Sequence, residues 1–324
     1  MDADGRTGPT RGQSRGLHWR RTSPGLFVPS HTDSSGPAQR IIEASGHLPD
    51  GGGVTGWASL HLHGARYFEG ETAEGSHLPV PLALPHHARR ARRDGVAPVR
   101  HRQALTIIDR HGVPCLDLEA SLFDEMVARA DLRERIAALE MVCFAELTSV
   151  ARFSTWLAAR AGHPEINAIR AAVAEADEGV QSPQESAMLR VWTMDAGLPR
   201  PLCNRLLHST KGTLLGRPDL LDPVAGVVGE YDGKHHRETH QRGKDVEREE
   251  KFRDHGLEYF SIVGGQLSDR AKVARRMQQA RERALASTRP ATWTIEWDSP
   301  ELTLDERIAF RERRGEAQGP PPPT

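Results

Sequence analysis

Apolar residues recur at three- and four-residue steps through residues 117–175: Leu118, Leu122 and Met126, then Ile136, Leu139, Val142, Cys143 and Leu147, trace helical stripes. Upstream the pattern is shorter and broken. Leu60, Leu62, Tyr67 and Phe68, then Val80, Leu82 and Leu84, then Leu105, Ile107 and Ile108, are separated by Gly and Pro, which predicts a small α+β module over residues 40–115. Residues 1–40 are dense in Gly, Arg, Ser, Thr and Pro with little apolar periodicity. Burial there cannot offset the entropy of ordering, so the stretch is expected to be mostly disordered, apart from a short strand at Gly25-Leu-Phe-Val-Pro29. The opposite end, Gly319-Pro-Pro-Pro-Pro-Thr324, is a polyproline tail. The helices of 117–175 are expected to bridge two halves.

The second half carries local signals of a different kind. In Ser182-Pro-Gln-Glu-Ser-Ala-Met-Leu-Arg-Val-Trp192 a helix opens with an N-cap Ser, Pro at the first helical position and Glu185 at the third, and Gly197 and Pro199 close it. Leu202 to His208 reads as a strand. Asp222-Pro223 followed by Gly226 suits a four-residue hairpin loop built on a type I turn, which pairs Asp222 with Val227. Counting back, Leu221 faces Val228, Leu220 faces Gly229 and Asp219 faces Glu230. Opposed carboxylates repel unless a cation neutralises them. Asp232 shares the face of Glu230, as does Lys234 if the strand continues, so one face is expected to collect three carboxylates and an ammonium.

An all-oxygen site of this kind suits Mg²⁺ or Mn²⁺, which lowers the pKa of a bound water and neutralises charge on a phosphate. A nearby Lys234 or His236 would orient the water or protonate the leaving oxygen. Bland readings stand beside this one: Asp232-Gly233 is a common turn dipeptide, and Asp219 beside Pro218 suits a loop. Glu185 has a sufficient role as the capping-box partner of Ser182. His235, His236 and His240 lack further His or Cys at ligand spacing, which argues against zinc. Gly233-Lys234 is not a phosphate-binding loop, because Val228 stands where such a loop requires Gly.

Charge changes the picture little. Lys and Arg total 43 against 44 Asp and Glu, so any nucleic-acid surface must be local. One candidate is Arg270, Lys272, Arg275 and Arg276, on a helix whose Val273, Met277, Ala280 and Ala284 face the core; a solvated helix face is the alternative. Another basic run, His86-His-Ala-Arg-Arg-Ala-Arg-Arg93 with Arg100-His-Arg102, has few aromatics for base stacking and reads rather as a solvated loop. Cys115, Cys143 and Cys203 form no CxxC pair, and the start has no apolar signal core. A cytoplasmic protein with no membrane contact is expected.

Glu185 in its Ser-Pro-x-Glu helix, Pro218-Asp219, then Glu230-Tyr-Asp-Gly-Lys-His-His236, together resemble the PD-(D/E)xK nuclease superfamily. More narrowly they are similar to uncharacterised domains related to the very-short-patch-repair endonucleases, in which an Asp, a Glu-x-Asp-Gly and a His are followed by an Asp-x-x-Arg helix, here Asp245 and Arg248. The resemblance covers about a third of the chain. It implies an α/β fold with a restriction-endonuclease-like core of helix, three strands, helix and strand, the last strand being Leu257 to Val263. Asp219 and Glu230 become metal ligands, and Asp232, Lys234, Glu185 and His236 further catalytic residues. One departure is that Asp232 occupies the position, two after Glu230, where the superfamily usually has its lysine, which leaves the role of Lys234 open. The region from Gly25 to about residue 130 resembles abortive-infection antitoxin-type regulators, although no recognition helix is evident.

The expected organisation is therefore a mostly disordered 1–40, an antitoxin-like α+β region with bridging helices over 41–175, an endonuclease-like domain over 180–286, and a C-terminal extension with its Pro-rich tail over 287–324. The expected function is metal-dependent hydrolysis of DNA. The competing one is a DNA-binding regulator or antitoxin-like protein whose nuclease fold is not catalytic.

Overall fold

The computed structural model describes residues 8–23, 25–72, 74–86, 88, 94–102, 104–160, 162–233, 239–295 and 302–314, with backbone alone for 239–245. The chain is mixed α/β and divides into two compact units, one of residues 1–171 with 308–324 and one of residues 172–307. Among the described residues no helix is long and apolar enough to cross a membrane.

The first unit begins with a hairpin of β1 (Trp19–Ser23) and β2 (Leu26–Pro29), followed by helix α1 (Pro37–Ser45). Strand β2 falls within the short strand expected at residues 25–29, while β1 arises in a stretch with little apolar periodicity. The forked guanidinium of Arg20 grips both carboxylate oxygens of Glu43 at 2.9 and 2.6 Å, and α1 buries Ile41 and Ala44. The ordering energy thus comes from partners 23 residues apart in the chain, which a local count of apolar positions misses.

A five-stranded sheet follows, in the order β5 (Val96–Arg100), β4 (Val80–Leu84), β3 (Gly53–Val54), β7 (Val113–Leu116), β6 (Ile107–Arg110). Leu60 and Leu62 lie on helix α2 (Gly56–Leu62), whereas Val80, Leu82 and Leu84 are the buried positions of β4. Three helices then carry the apolar stripes read in the sequence: α3 (Leu118–Ala128), α4 (Leu132–Phe144) and α5 (Val150–Ala158). Each opens on a capping side chain, from Asp117, Asp131 and Ser149. Helix α6 (Ile166–Glu175) runs across the boundary between the units.

The second unit is built on a four-stranded sheet in the order β8 (Leu202–Cys203), β11 (Leu220–Asp222), β12 (Val227–Asp232), β13 (Glu258–Val263). Three strands form an antiparallel meander, and β13 joins β12 in parallel. Helix α7 (Pro183–Arg190) precedes the sheet and ends in a π-helical turn over Val191–Asp195; α8 (Thr239–Asp254) is the crossover, and α9 (Arg270–Ala286) follows. On one face of the sheet Leu221 and Val228 pack with Leu207, Leu215, Phe252 and Leu257. On the other, Gly229 leaves room for the Phe260 ring, which stacks on Trp192 with centroids 6.0 Å apart.

Residues 202–208, expected to be one strand, are two. Asn204 takes a left-handed conformation (φ 49°) and breaks the run, so β8 stays in the main sheet while β9 (Leu207–Ser209) joins a separate sheet with β10 (Leu214–Gly216) and β14 (Trp293–Thr294). Helix α10 (Leu304–Arg314) again crosses the unit boundary; within the first unit Arg152 forks onto Glu312, and Arg311 donates to the Glu146 carbonyl.

Candidate active site

The β11–β12 hairpin has the pairing that its turn chemistry predicts: Asp222 with Val227, Leu221 with Val228, Leu220 with Gly229. Gly226 supplies the left-handed residue (φ 74°) and donates to the Asp222 carbonyl at 2.9 Å, and the Asp222 carboxylate accepts the Val224 amide. Past Leu220 the backbone ladder stops. There the Asp219 carboxylate accepts the Tyr231 amide at 2.7 Å, and its carbonyl accepts the Asn204 amide.

Burial pushes the half-buried Asp219 carboxyl up from 3.8 to about 7, against the lowering pull of the Tyr231 amide; the charges of Glu185 and Glu230 raise it further and Arg248 lowers it. Acids from two other elements therefore act on Asp219 at the head of β11: Glu185 on α7 and Glu230 on β12.

Glu185 is saturated. Its own amide donates to the Ser182 hydroxyl oxygen at 3.2 Å, and its carboxylate accepts the Ser182 hydroxyl at 3.0 Å, the Gln181 amide at 2.9 Å and the Asn204 side-chain amide at 2.7 Å. This is the capping box foreseen from the sequence, except that the carboxylate reaches the amide before the N-cap residue. Asn204, which sequence reasoning passed over, ties α7 to the end of β8 and also donates to the Gly179 carbonyl. Its one legible signal is residue type, since Asn tolerates the left-handed region.

Glu230 is held on both sides. Arg248 donates from Nε to Oε1 at 2.6 Å, and the Tyr259 hydroxyl donates to Oε2 at 3.1 Å. The other arm of Arg248 reaches the Arg217 carbonyl at 2.7 Å. Burial and the neighbouring Glu230 push the Tyr259 phenol well up, so it remains a donor. Neither partner of Glu230 was anticipated, because Arg248 and Tyr259 come from the crossover helix and the parallel strand.

Asp232 ends β12, half-buried, and its charge helps raise the Tyr231 phenol behind burial. The charges that reach Asp219 come from Glu185, Glu230 and Arg248. Lys234 and His236 lie outside the described residues, as does the Asp245 side chain. Arg270, Lys272, Arg275 and Arg276 are all exposed on the first two turns of α9, whose Val273, Met277 and Ala280 are buried. Arg276 reaches Gln266 at 3.4 Å, Gln266 accepts the Val263 amide, and Val263 pairs with Asp232. The basic turns of α9 thus lie at the end of the sheet where Asp232 sits. Of the other basic run, residues 87 and 89–93 lie outside the described residues; Arg100 donates to the His86 and Ala88 carbonyls, and His101 hydrogen-bonds Asp124 on α3.

Among the described residues no group of three or more His, Cys, Asp or Glu is arranged to hold a metal ion. Asp219, Glu230 and Asp232, the three carboxylates expected on one face, are thus not gathered as such a group among the described residues, and Arg248 occupies Glu230. What remains is Asp219 with Glu230, a donor set that fits Mg²⁺ or Mn²⁺, since such an ion keeps several waters and takes one or two carboxylates. Comparison with protein-family models, curated proteins and solved structures returns no match for this chain.

Proposed function

We propose that residues 180–286 form a restriction-endonuclease-like domain that hydrolyses DNA phosphodiesters with a bound Mg²⁺ or Mn²⁺ ion. The observation that carries this reading is Asp219: a half-buried carboxyl, one ladder step beyond an apolar hairpin, pushed up to about 7 by burial and by the charges of Glu185 and Glu230. Ordinary core design avoids opposed acids, whereas hydrolytic sites gather them and shift their pKa values. The order of helix α7, strands β8, β11 and β12, helix α8 and strand β13 supports the assignment of the core.

In this reading Asp219 and Glu230 hold the ion, which supplies a more acidic water and neutralises charge on the phosphate. Asp219 keeps a proton at its carboxyl until pH or a cation removes it. Tyr259 fixes the Glu230 carboxylate, and Arg270, Lys272, Arg275 and Arg276 hold the DNA backbone at the sheet's end.

The test is nicking or linearisation of supercoiled plasmid by the full chain with Mg²⁺ or Mn²⁺. Cleavage that stops with chelator and disappears in both Asp219→Asn and Glu230→Gln supports the nuclease. One observation favours a second reading, that of a DNA-binding, antitoxin-like regulator without catalysis: Glu230 is already neutralised by Arg248. Plasmid binding without metal-dependent cleavage would select it.

A further inference from the structure

We propose that Arg248 is the counter-charge which Glu230 exchanges for a divalent cation when nucleic-acid phosphate arrives, so that one side chain couples metal uptake to substrate binding. The inference rests on the nuclease reading above and concerns how that site is regulated.

Both oxygens of Glu230 are taken, Oε1 by Arg248 and Oε2 by Tyr259. A cation that binds Glu230 competes with these partners for its charge. Tyr259 is the fixed partner: its ring stacks on buried Phe252 with centroids 6.3 Å apart and an interplanar angle of 18°. Arg248 is the exchangeable one. Its side chain is 39 % exposed against 18 % for Glu230, and its guanidinium sits 5.6 Å from the Phe252 ring centroid, so solvent and phosphate can reach it.

Arg248 and a metal ion compete for Glu230, because each neutralises the charge that attracts the other. A guanidinium, however, has a second natural partner in a phosphate, whose spaced oxygens match its fork. Nη2 of Arg248, which lies 2.6 Å from Glu230 Oε1, also reaches the Arg217 carbonyl, two residues before Asp219, so the side chain spans the two strand ends that carry the acids. A phosphate bound there draws Arg248 from Glu230 and leaves Glu230 with Asp219 for the ion. By linkage the effect is reciprocal: phosphate tightens metal, and metal tightens phosphate.

The test is calorimetric titration of Mn²⁺ into the full chain at pH 8. Arg248→Met keeps an unbranched stem beside Phe252 and removes the charge; it should bind Mn²⁺ about tenfold more tightly than the parent, the worth of one charge-assisted hydrogen bond. Arg253→Met is the control, since Arg253 pairs with Glu249 on the same helix and Glu258 on β13 rather than with Glu230, and should leave Mn²⁺ affinity unchanged. A non-cleavable phosphorothioate duplex should tighten Mn²⁺ binding to the parent by a similar factor and to Arg248→Met hardly at all. Equal or weaker Mn²⁺ binding by a folded Arg248→Met protein, or equal tightening by Arg253→Met, overturns the exchange. If Arg248→Met does not fold, the parent decides, and a duplex without effect on its Mn²⁺ affinity overturns the exchange. Mn²⁺ bound by none of the proteins removes the nuclease reading as well, whereas Mn²⁺ bound equally by all removes the exchange alone.

Discussion

The Asp219 carboxylate accepts the Tyr231 amide at 2.7 Å, replacing with a side chain the backbone partner that the β11–β12 ladder would otherwise supply. The bond anchors an acid at the end of the hairpin. On the other side the Asp219 carbonyl accepts the Asn204 amide, the next step of the β8–β11 register.

Stability should depend on the protonation of Asp219. Its folded value of about 7 lies above 3.8, so between those limits the folded state keeps a proton that the unfolded chain has released. The unfolded state binds fewer protons there, and stability from this group is present below the lower value and lost as pH rises through the folded one. The melting temperature of the metal-free protein should fall from pH 6 to pH 8, and Asp219→Asn should reduce that fall. Parallel pH profiles for parent and variant would remove the assignment.

Glu185→Gln should cost about 1 kcal/mol, because both oxygens accept donors and the amide of Gln turns a donor toward a donor. Cleavage at pH 8 should remain within about tenfold of the parent, since the cap rather than the ion engages this carboxylate. Removing the charge also lowers the Asp219 pKa, so the acid limb of the cleavage profile should move to lower pH. Loss of cleavage at all pH values without loss of melting temperature would make Glu185 a catalytic residue instead.

Gly229→Ala should destabilise the second unit by about 3 kcal/mol. An added Cβ would meet the Phe260 ring, and that ring cannot retreat because Trp192 stacks against it. Val224 in the hairpin loop is 78 % exposed, and Val224→Thr should change stability by less than about 0.5 kcal/mol. Denaturant melts of the two variants measure the contrast.

Reversal of charge at Arg275 and Arg276 should weaken DNA binding and flatten its salt dependence by about one unit of slope for each phosphate no longer neutralised. Fluorescence anisotropy with a duplex at several salt concentrations reads both quantities. An unchanged slope would leave these side chains as a solvated helix face.

The hairpin was legible because everything that sets it is local. An Asp-Pro turn with Gly at the left-handed position fixes the loop, and alternation then assigns Asp219 and Glu230 to facing positions on one side. The helices α3 to α5, the cap of α7 and the exposed turns of α9 were legible for the same reason, since periodicity and capping act within a few residues. What the sequence concealed depends on distant partners. Residues 19–45 are ordered by Arg20 on Glu43, β9 finds Trp293 and Thr294 far down the chain, and Glu185 finds Asn204. Above all, the sequence aligned the acids without saying how their charges are met. Only the packing of α8 and β13 on β12 brings Arg248 and Tyr259 to Glu230, and only the burial this creates raises Asp219 toward neutrality, because solvation and Coulomb energies depend on neighbours in space.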